Sequence, residues 1–405
     1  MKLLIVGLNY APEPVGIGPY TTGLAEGVAA RGHELRVVAG KPYYPQWRPY
    51  PGQPDGITEQ RENGVTVRRV PHYIPADPTG ARRIAHHLSF AARAAAPAAR
   101  QARGWADLVL AIAPSLLAAP AAARAARIAK APLWLHFQDF EVEAALATGL
   151  LGRNGARIAG RVERAMLDRA ALVSMISPQM RARLVDKGVP KARTLELRNW
   201  STVAVPATAD GAALRRDWGL DGRTIALYSG NIANKQGLET VIEAARALAG
   251  RDDIAFVICG EGPNRARLEA AAAGLPNVHF HDLQPVERLP HLLALADIHL
   301  LPQIADAADL VLPSKLTNML VSGRPVIATA ARDTGLAQEV GGCGMIVPPG
   351  DPAALAKAVA TLAGDTALRH ALGRAARQRA AERWSKAAAL DTFENAAERL
   401  LAARR

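Results

Sequence analysis

The 405-residue chain has the composition of a globular protein, with 49% hydrophobic, 21% charged and 5% aromatic residues. This composition argues against an intrinsically disordered chain, and the length exceeds one ordinary hydrophobic core, so we expect two domains. The two cysteines, Cys259 and Cys343, have neither pairing nor metal spacing. We therefore expect no disulfide framework and no zinc site, and a reducing cytoplasm is the simpler setting.

The formal net charge of +12 is unevenly distributed. Residues 78–138 contain eight basic residues and a single acidic one, Asp107, which is a net charge of +7. Such an arginine-rich segment can lie on an anionic membrane surface, and it can equally be the solvated face of a helix. Nucleic-acid binding is not expected, because aromatic residues are not interleaved with the charges and no binding module is recognisable.

The apolar segments are too short to cross a bilayer. The N-terminal apolar run ends at Asn9, which is too short for a secretory leader. The longest uncharged segment, residues 108–123, is shorter than the roughly 20 residues of a transmembrane helix and contains Pro114 and Pro120. We expect no transmembrane helix.

Short apolar runs alternate with helical stretches, which indicates parallel strands joined by crossover helices. The runs lie at residues 3–6, 35–39, 65–70, 108–112, 133–137 and 172–176, and then at 224–230, 254–260, 277–282, 297–302, 324–329 and 344–350. Residues 198–222 have no buried run and suggest an interdomain connection. We predict two doubly wound α/β domains, at 1–200 and 201–380, and a C-terminal helix at 381–405 able to pack back on the first domain.

The loop after the first strand is a candidate site, because ligands of open parallel sheets bind beyond the carboxyl ends of strands. Gly16 and Gly18 in this loop can bring backbone N–H groups against a phosphate or sugar, at the start of a helix from about Pro19. The loop is neither a Walker sequence nor a complete dinucleotide fingerprint, and a ligand-free turn is an equal alternative.

The first strand of the second half is also followed by a glycine loop. It places Asn231, Lys235 and Gln236 between Gly230 and Gly237, and these side chains and the turn amides can hold a diphosphate. The alternative is a simple turn with a surface lysine.

The next strand leads into another glycine loop, of sequence CGEGPNRARLE. Gly260 and Gly262 permit a close approach of the backbone to a ligand, and Arg265 or Arg267 can meet an anion. The third glycine of a dinucleotide fingerprint is missing, so the loop does not indicate an oxidoreductase.

Asp139 ends a strand whose preceding residues are apolar. An unpaired carboxylate is unfavourable in such a place, which favours either a functional site or a helix N-cap, with equal weight. Glu141 and Glu143 are expected in the first turn of the following helix, and His136 is expected to face the core.

Residues 311–329 read as a turn, a short helix and a buried strand. Pro313 pre-sets the turn, Ser314 can cap the helix, and Lys315 adds a charge to its positive N-terminal end. A lysine there is unfavourable by ~0.3–1 kcal/mol, so an anionic ligand is the natural compensation. Gly323 and Pro325 are expected to end the helix and start the strand.

The order of these loops resembles that of the family-4 retaining glycosyltransferases of the GT-B fold, over nearly the whole chain. The motifs that carry the resemblance are PxxGIG, RGHELRVV, NW, SGNIANKQGLE, GEGPNRARLEAAA, ADIHLLP and PSKLTNMLVSGRPVIA. One branch of the family, which includes the colanic-acid fucosyltransferase, is similar in four further motifs: LNYxPE, YYPQW, QDFEVEA and VLPSKLTN. The resemblance implies an acceptor-binding N-terminal domain and a donor-binding C-terminal domain, with Glu261 among the donor-binding residues.

The sequence departs from the family pattern at several site positions. The two usual glutamates fall at Leu310 and Asn318, and the usual arginine and lysine that bind the diphosphate fall at Asn231 and Gln236. The frequent histidine of the acceptor-side strand falls near Gln138. By this resemblance, Lys235 and Lys315 provide the positive charge that the usual arginine and lysine would provide. Asn318 reaches ribose or sugar hydroxyls.

The resemblance implies transfer of a hexose, with fucose as one candidate, from a GDP- or UDP-sugar to a polyprenyl-diphosphate-linked saccharide in bacterial exopolysaccharide biosynthesis. The enzyme is expected on the inner face of the cell membrane, with Asp139 serving the acceptor and without a metal or cofactor. Two alternatives stay open at this point. One is a nucleotide-sugar epimerase, for which paired carboxylates are not found, and the other is a non-enzymatic protein that binds nucleotide sugars or polyanions.

Overall fold

The computed structural model describes residues 1–14, 16–113, 116–139, 153–201, 209–233, 236–304 and 314–404. The chain divides into two compact units. The N-terminal unit comprises Met1–Asn199 and Ala389–Arg405, and the C-terminal unit comprises Trp200–Ala388. None of the helices in the described ranges is both long enough and apolar enough to cross a membrane.

The described part of the N-terminal unit contains an eight-stranded sheet in the order β3-β4-β2-β1-β5-β6-β7-β8. All neighbouring strands are parallel except β3 and β4. The strands are β1 (Lys2–Gly7), β2 (Glu34–Gly40), β3 (Thr58–Glu62), β4 (Val65–Val70), β5 (Leu108–Ala113), β6 (Leu133–Phe137), β7 (Leu172–Met175) and β8 (Thr194–Glu196).

Helices cover this sheet as crossover connections. They are α1 (Gly18–Ala30), α2 (Gly80–Ala102), α3 (Ala119–Ala129), α4 (Arg153–Arg169) and α5 (Pro178–Asp186). The start of α5 follows from its sequence, because the Ser177 side chain accepts a hydrogen bond from the Met180 amide and Pro178 occupies the first turn. β1 and β5 are buried along almost their whole length, as expected for central parallel strands.

The described part of the C-terminal unit contains a six-stranded parallel sheet in the order β11-β10-β9-β12-β13-β14. Its strands are β9 (Thr224–Ser229), β10 (Ile254–Cys259), β11 (Val278–His281), β12 (Ile298–Leu301), β13 (Val326–Thr329) and β14 (Gly344–Val347). Its helices are α6 (Ala212–Asp217), α7 (Glu239–Ala247), α8 (Arg265–Ala271), α9 (Leu289–Leu295), α10 (Ser314–Val321), α11 (Gly335–Val340), α12 (Pro352–Gly364) and α13 (Thr366–Arg383).

These two sheets confirm the predicted fold class of two doubly wound α/β domains. Each predicted apolar run coincides with a strand. Two strands were not predicted. β3 has the polar sequence TEQRE and pairs antiparallel at the sheet edge, so it lacks the apolar run of a buried strand, and β8 has only three residues.

The last helix, α14 (Lys386–Ala402), carries the apolar residues by which the C-terminal segment joins the N-terminal unit. The fully buried ring of Phe393 stacks on Trp134 of β6, with ring centroids 4.8 Å apart. Leu390 packs over Gly27 of α1, where a Cβ would overlap the leucine side chain. The aromatic residue of the tail therefore completes the core of the first unit.

Several histidines are buried in a neutral state. Burial lowers the pKa of His72 to about 3, of His136 to about 4 and of His299 to about 3, from an ordinary value of 6.5. His299 is fully buried, and its Nε2 lies 3.0 Å from the Ser322 hydroxyl. As the pH falls below 6.5, the unfolded chain binds protons at these sites and the folded chain does not, so folding stability is lost.

We expect the free energy of unfolding to decrease as the pH is lowered from 6.5 to about 5, a range above most carboxyl titration. Each such histidine contributes up to about 1.4 kcal/mol per pH unit. His299→Leu should give a shallower pH dependence than the wild type in urea unfolding followed by circular dichroism. The same dependence in both proteins would contradict the assignment.

Candidate functional site

Two loops of the C-terminal unit lie side by side at the carboxyl edge of its sheet, after β9 and β10. The Ile232 amide donates to the Glu261 carbonyl at 2.7 Å, and the Asn264 amide donates to the Ile232 carbonyl at 3.2 Å. Only glycine fits where the loops meet, because a Cβ on Gly260 would overlap the carbonyl oxygen of Gly230. The backbone pairing thus brings together the candidate residues of both loops.

Lys315 contacts the first of these loops from the N-terminal turn of α10. Its Nζ donates a 2.7 Å hydrogen bond to the Tyr228 hydroxyl and lies 4.4 Å from the centroid of that ring. The hydroxyl in turn donates to the Asn231 carbonyl, and burial raises the pKa of Tyr228, so it stays protonated. Gly230, with φ of +128°, leaves space that a Cβ would take from the lysine side chain. The ammonium group is therefore held against Gly230.

The helix that carries Lys315 is fixed by buried polar contacts. The Ser201 hydroxyl donates to Asn318 Oδ1 at 2.8 Å, one turn after Lys315. At the other end, the Ser322 hydroxyl donates to the Met319 carbonyl at 2.6 Å, so it accepts the Nε2–H of His299. As predicted, the helix ends before Gly323, whose φ is +70°, and a strand follows.

The two arginines after β10 are bound to carboxylates. Arg265 lies 2.7–2.8 Å from oxygens of Glu261, Glu269 and Asp282. These carboxylates raise the pKa of Arg265, and the hydrogen bond to Glu269 has the largest effect. Arg267 pairs with Glu239. An anionic ligand at this place would have to compete with these carboxylates.

The remaining donor-side candidates are described in part. Gln236 Oε1 is buried and has no hydrogen-bond partner among the described residues. Asn231 is exposed in the same loop. Lys235 and Pro313 lie outside the described residues, and Ser314 is the first residue of α10.

In the N-terminal unit, the loop containing Gly16 and Gly18 is tied to the loop after β2 by Glu13. This buried carboxylate accepts hydrogen bonds from the amides of Tyr43 at 2.9 Å and Tyr44 at 3.1 Å, and from the Asn9 side chain at 2.8 Å. Burial raises the pKa of Glu13, and these donors offset the effect. Glu13 therefore positions the two loops.

Asp139 lies directly after β6, exposed at the carboxyl edge of the N-terminal sheet. The residue before it, Gln138, forms a reciprocal amide pair with Asn199 at 2.7 and 3.0 Å, and its Nε2 lies 2.9 Å from His136 Nε2. His136 Nδ1 contacts the buried Ser174 hydroxyl at 2.9 Å. As predicted, His136 is in the core. This series of hydrogen bonds, from Asn199 through Gln138 and His136 to Ser174, fixes the backbone just before Asp139. Glu141 and Glu143 lie outside the described residues.

Tyr228 and Glu13 were missed in the sequence. Among the buried residues 225–228 of β9, Tyr228 is the only one with a polar side-chain group, which is a usable signal for a hydroxyl with a specific partner. Glu13 lies in the glycine loop between two prolines, and its role depends on amides 30 and 31 positions away, for which the sequence holds no local signal.

Family comparisons agree with this architecture. Residues 15–200 match the glycosyl transferase 4-like domain, and residues 223–365 match glycosyl transferases group 1. The chain is 42% identical over 349 residues to the putative colanic acid biosynthesis glycosyl transferase WcaI of Escherichia coli K12, covering 84% of this chain and 85% of that protein.

Solved structures of the same fold cover the whole length. Sucrose-phosphate synthase from Thermosynechococcus elongatus superposes with a TM-score of 0.68 at 20% identity and covers 100% of both chains. Anabaena HepE in complex with UDP-glucose superposes with a TM-score of 0.63 at 18% identity and covers 98% of this chain and 100% of that one. With the two matched domains and the identity to WcaI, the chain belongs to the family-4 glycosyltransferases of the GT-B fold and is an enzyme of the hexosyltransferase class.

Proposed function

We propose that the enzyme transfers a hexose, with retention of configuration, from a nucleoside-diphosphate sugar to a lipid-linked saccharide during exopolysaccharide biosynthesis. The observation that carries the donor assignment is the Lys315 ammonium, held against Gly230 at the N-terminal turn of α10. A helix N-terminus already favours anions, and a lysine there adds a full charge that a diphosphate neutralises. The pathway assignment is supported by the similarity to WcaI.

The reaction breaks the bond between the anomeric carbon and the diphosphate oxygen and forms a bond from that carbon to an acceptor hydroxyl on the same face. Negative charge grows on the departing diphosphate while the sugar becomes oxocarbenium-like. Lys315 and the amides of the glycine loops stabilise that charge, and the stabilisation acts mainly in the transition state. Asp139 orients the acceptor hydroxyl or takes its proton.

The donor base is a proposal that rests on likeness. HepE has been solved with UDP-glucose, which supports a uridine nucleotide. The branch resemblance noted in the sequence favours a GDP-sugar such as GDP-fucose instead. Gln236 and Asn318 are proposed to meet hydroxyls of the ribose or the sugar, because amide groups can serve both as donors and as acceptors.

Donor turnover tests the proposal and the role of Lys315 together. Incubation with a panel of UDP- and GDP-hexoses should give slow release of nucleoside diphosphate from at least one donor. Lys315→Ala should lower that release roughly 10-fold or more, because a charge-assisted contact contributes about 1.5–3 kcal/mol. Tyr228→Phe keeps the ring and removes the hydroxyl anchor, so an intermediate loss is expected.

Lys235→Ala is the matched control for this prediction, since it removes the same charge from the neighbouring loop. Near-normal release in Lys315→Ala, together with a near-complete loss of release in Lys235→Ala, would assign the diphosphate contact to Lys235. No release from any donor by the wild type would argue against the proposed reaction itself.

For Asp139 we expect a selective effect on the acceptor step. Asp139→Asn should depress transfer about 10- to 100-fold, within the usual range for a residue that assists proton transfer, and leave donor binding nearly unchanged. Titration calorimetry with the nucleotide and a transfer assay would separate the two. An equal loss of donor binding, or a loss of folding, would indicate instead that Asp139 is a helix cap.

We further propose that the N-terminal unit contacts the anionic inner face of the cell membrane. All eight basic residues between positions 78 and 138 are exposed, and they lie on α2, α3 and the turns after these helices. Among them only Arg82 has an ion-pair partner within the described residues, which is Asp77 at 3.3 Å. Unpaired exposed arginines are suited to anionic headgroups.

A shallow groove adds to this basic surface. It has a volume of about 680 Å³ and lies between α3, the start of β6 and the C-terminal end of α4. Its lining combines alanines and prolines with Arg124, Arg127, Arg169 and Arg193 and contains no acidic residue. This combination of apolar floor and arginine rim supports contact with an anionic lipid headgroup.

Vesicle sedimentation tests the membrane proposal. Binding should require anionic lipid and should fall with added salt, because exposed charges are screened. Arg124→Glu with Arg127→Glu should weaken binding strongly, whereas Arg216→Glu with Arg332→Glu, the same change of charge at exposed sites of the C-terminal unit, should change it little. Binding that is independent of both lipid charge and salt concentration would exclude electrostatic association.

A further inference from the structure

The YYPQW segment belongs to a cluster of rings in the N-terminal unit, which we call the aromatic platform: Tyr43, Tyr44, Trp47, His72 and His86. The Tyr43 ring is the centre of the cluster. Its centroid lies 4.6 Å from that of His86, 5.2 Å from Trp47 and 5.4 Å from His72, with steep interplanar angles of 64–75°. Such edge-to-face packing is favourable.

The platform lies at the ligand-binding edge of the sheet. Its residues come from the loops after β2 and β4 and from the first two turns of α2, and Glu13 fixes the amides of Tyr43 and Tyr44. Gly16, with φ of +71°, lies against Tyr44, since a Cβ there would be 3.1 Å from the ring. The platform is therefore continuous with the glycine loop after β1.

Trp47 has a backbone conformation that a large side chain rarely adopts. Its φ is +52°, in the left-handed region, and its ring is half-buried at the rim of the platform. Such conformations are unfavourable and are concentrated at functional sites. The Arg83 guanidinium lies over the Trp47 ring, 5.9 Å from its centroid, and adds a positive charge there.

His86 supplies an unsatisfied hydrogen-bond acceptor beneath the rings. It is fully buried, and its Nδ1 lies 2.5 Å from the Tyr73 carbonyl. A carbonyl only accepts, so Nδ1 carries the proton and Nε2 is an acceptor. Nε2 is buried and has no hydrogen-bond partner in the described part of the chain. A buried water molecule is the donor that fits.

We propose that the aromatic platform is the subsite for a sugar ring of the acceptor, with Trp47 as the stacking surface and Arg83 as a contact for the acceptor phosphate. This inference rests on the proposed function. A pyranose presents a C–H face to an aromatic ring and hydroxyls at its edge, and the half-buried Trp47 ring and the exposed Arg83 are the groups here that such a ligand can reach. A lipid-linked saccharide carries the phosphate that suits Arg83.

Membrane insertion is the competing role for exposed rings, and the exposures argue against it here. The most exposed large apolar residues of this region are Leu88, at 50%, Ile57, at 49%, and Tyr73, at 46%, whereas Trp47 and Tyr44 are half-buried. An interfacial anchor would use the protruding side chains first. Leu88→Ala is therefore a matched control that alters exposed apolar surface on α2 and leaves the platform rings intact.

Saturation-transfer NMR on the full chain tests the subsite. The probes are the methyl glycosides of glucose, galactose, mannose, fucose and N-acetylglucosamine, and glucose 1-phosphate and galactose 1-phosphate. At least one methyl glycoside should receive saturation from the wild type and from Leu88→Ala. The signal should fall at least about threefold in Trp47→Ala and remain in Trp47→Phe, which keeps a ring.

Arg83→Ala provides a second variant at an exposed position, where loss of folding is not expected. It should lower the saturation of the sugar phosphates and leave that of the methyl glycosides unchanged. The proposal is overturned if no glycoside receives saturation from the wild type, or if Trp47→Ala and Arg83→Ala both retain wild-type signals. It is also overturned if Trp47→Ala keeps the glycoside signal and instead loses binding to anionic vesicles.

These outcomes are separate from the test of the proposed function. Donor turnover without acceptor is measured as nucleoside-diphosphate release, in the wild type and in Leu88→Ala, where it should be equal. Loss of glycoside binding in Trp47→Ala supports the subsite, whereas absence of donor release in the wild type would count against the reaction and not against the platform.

Discussion

The close approach of two backbone loops is the constraint on which the candidate donor site depends. The loops after β9 and β10 share amide-to-carbonyl hydrogen bonds, and Gly260 has no room for a side chain against the Gly230 carbonyl. That contact determines where Lys315 can lie, because its side chain occupies the space beside Gly230. The Tyr228 hydroxyl then fixes the position of the ammonium group by a hydrogen bond. A larger residue at either glycine would displace the charge on which the proposed chemistry depends.

The N-terminal unit uses a buried carboxylate for a similar purpose. Glu13 gathers the amides of Tyr43 and Tyr44 and so joins the glycine loop after β1 to the loop after β2. Its raised pKa reflects burial, which is tolerable because its oxygens accept several hydrogen bonds. In both units, backbone loops at the carboxyl edge are held by a few polar contacts, and the strands beneath them are almost entirely apolar. Rigid sheets with adaptable loops suit a family that acts on varied sugars.

Much of the fold follows from the sequence by itself. Apolar runs such as those of β5 and β10 are buried on both faces, so they need no alternation and are recognised by length and composition. The end of α10 before Gly323 and Pro325 follows from local chain chemistry. The polar edge strand β3 could not be recognised in this way, because its pairing with β4 is made by backbone groups and its side chains are largely exposed.

The sequence therefore determined the two sheets, their order of elements and the loops in which the site residues lie, since these depend on local patterns of apolar residues and glycines. The tertiary structure decided what these cations contact. Arg265 and Lys315 are equally plausible cations in the sequence, and only the folded chain shows that three carboxylates surround Arg265 and that Lys315 lies on the face of Tyr228. It also decided that YYPQW packs with His72 and His86. Contacts between residues tens of positions apart depend on the folded chain, and no local pattern encodes them.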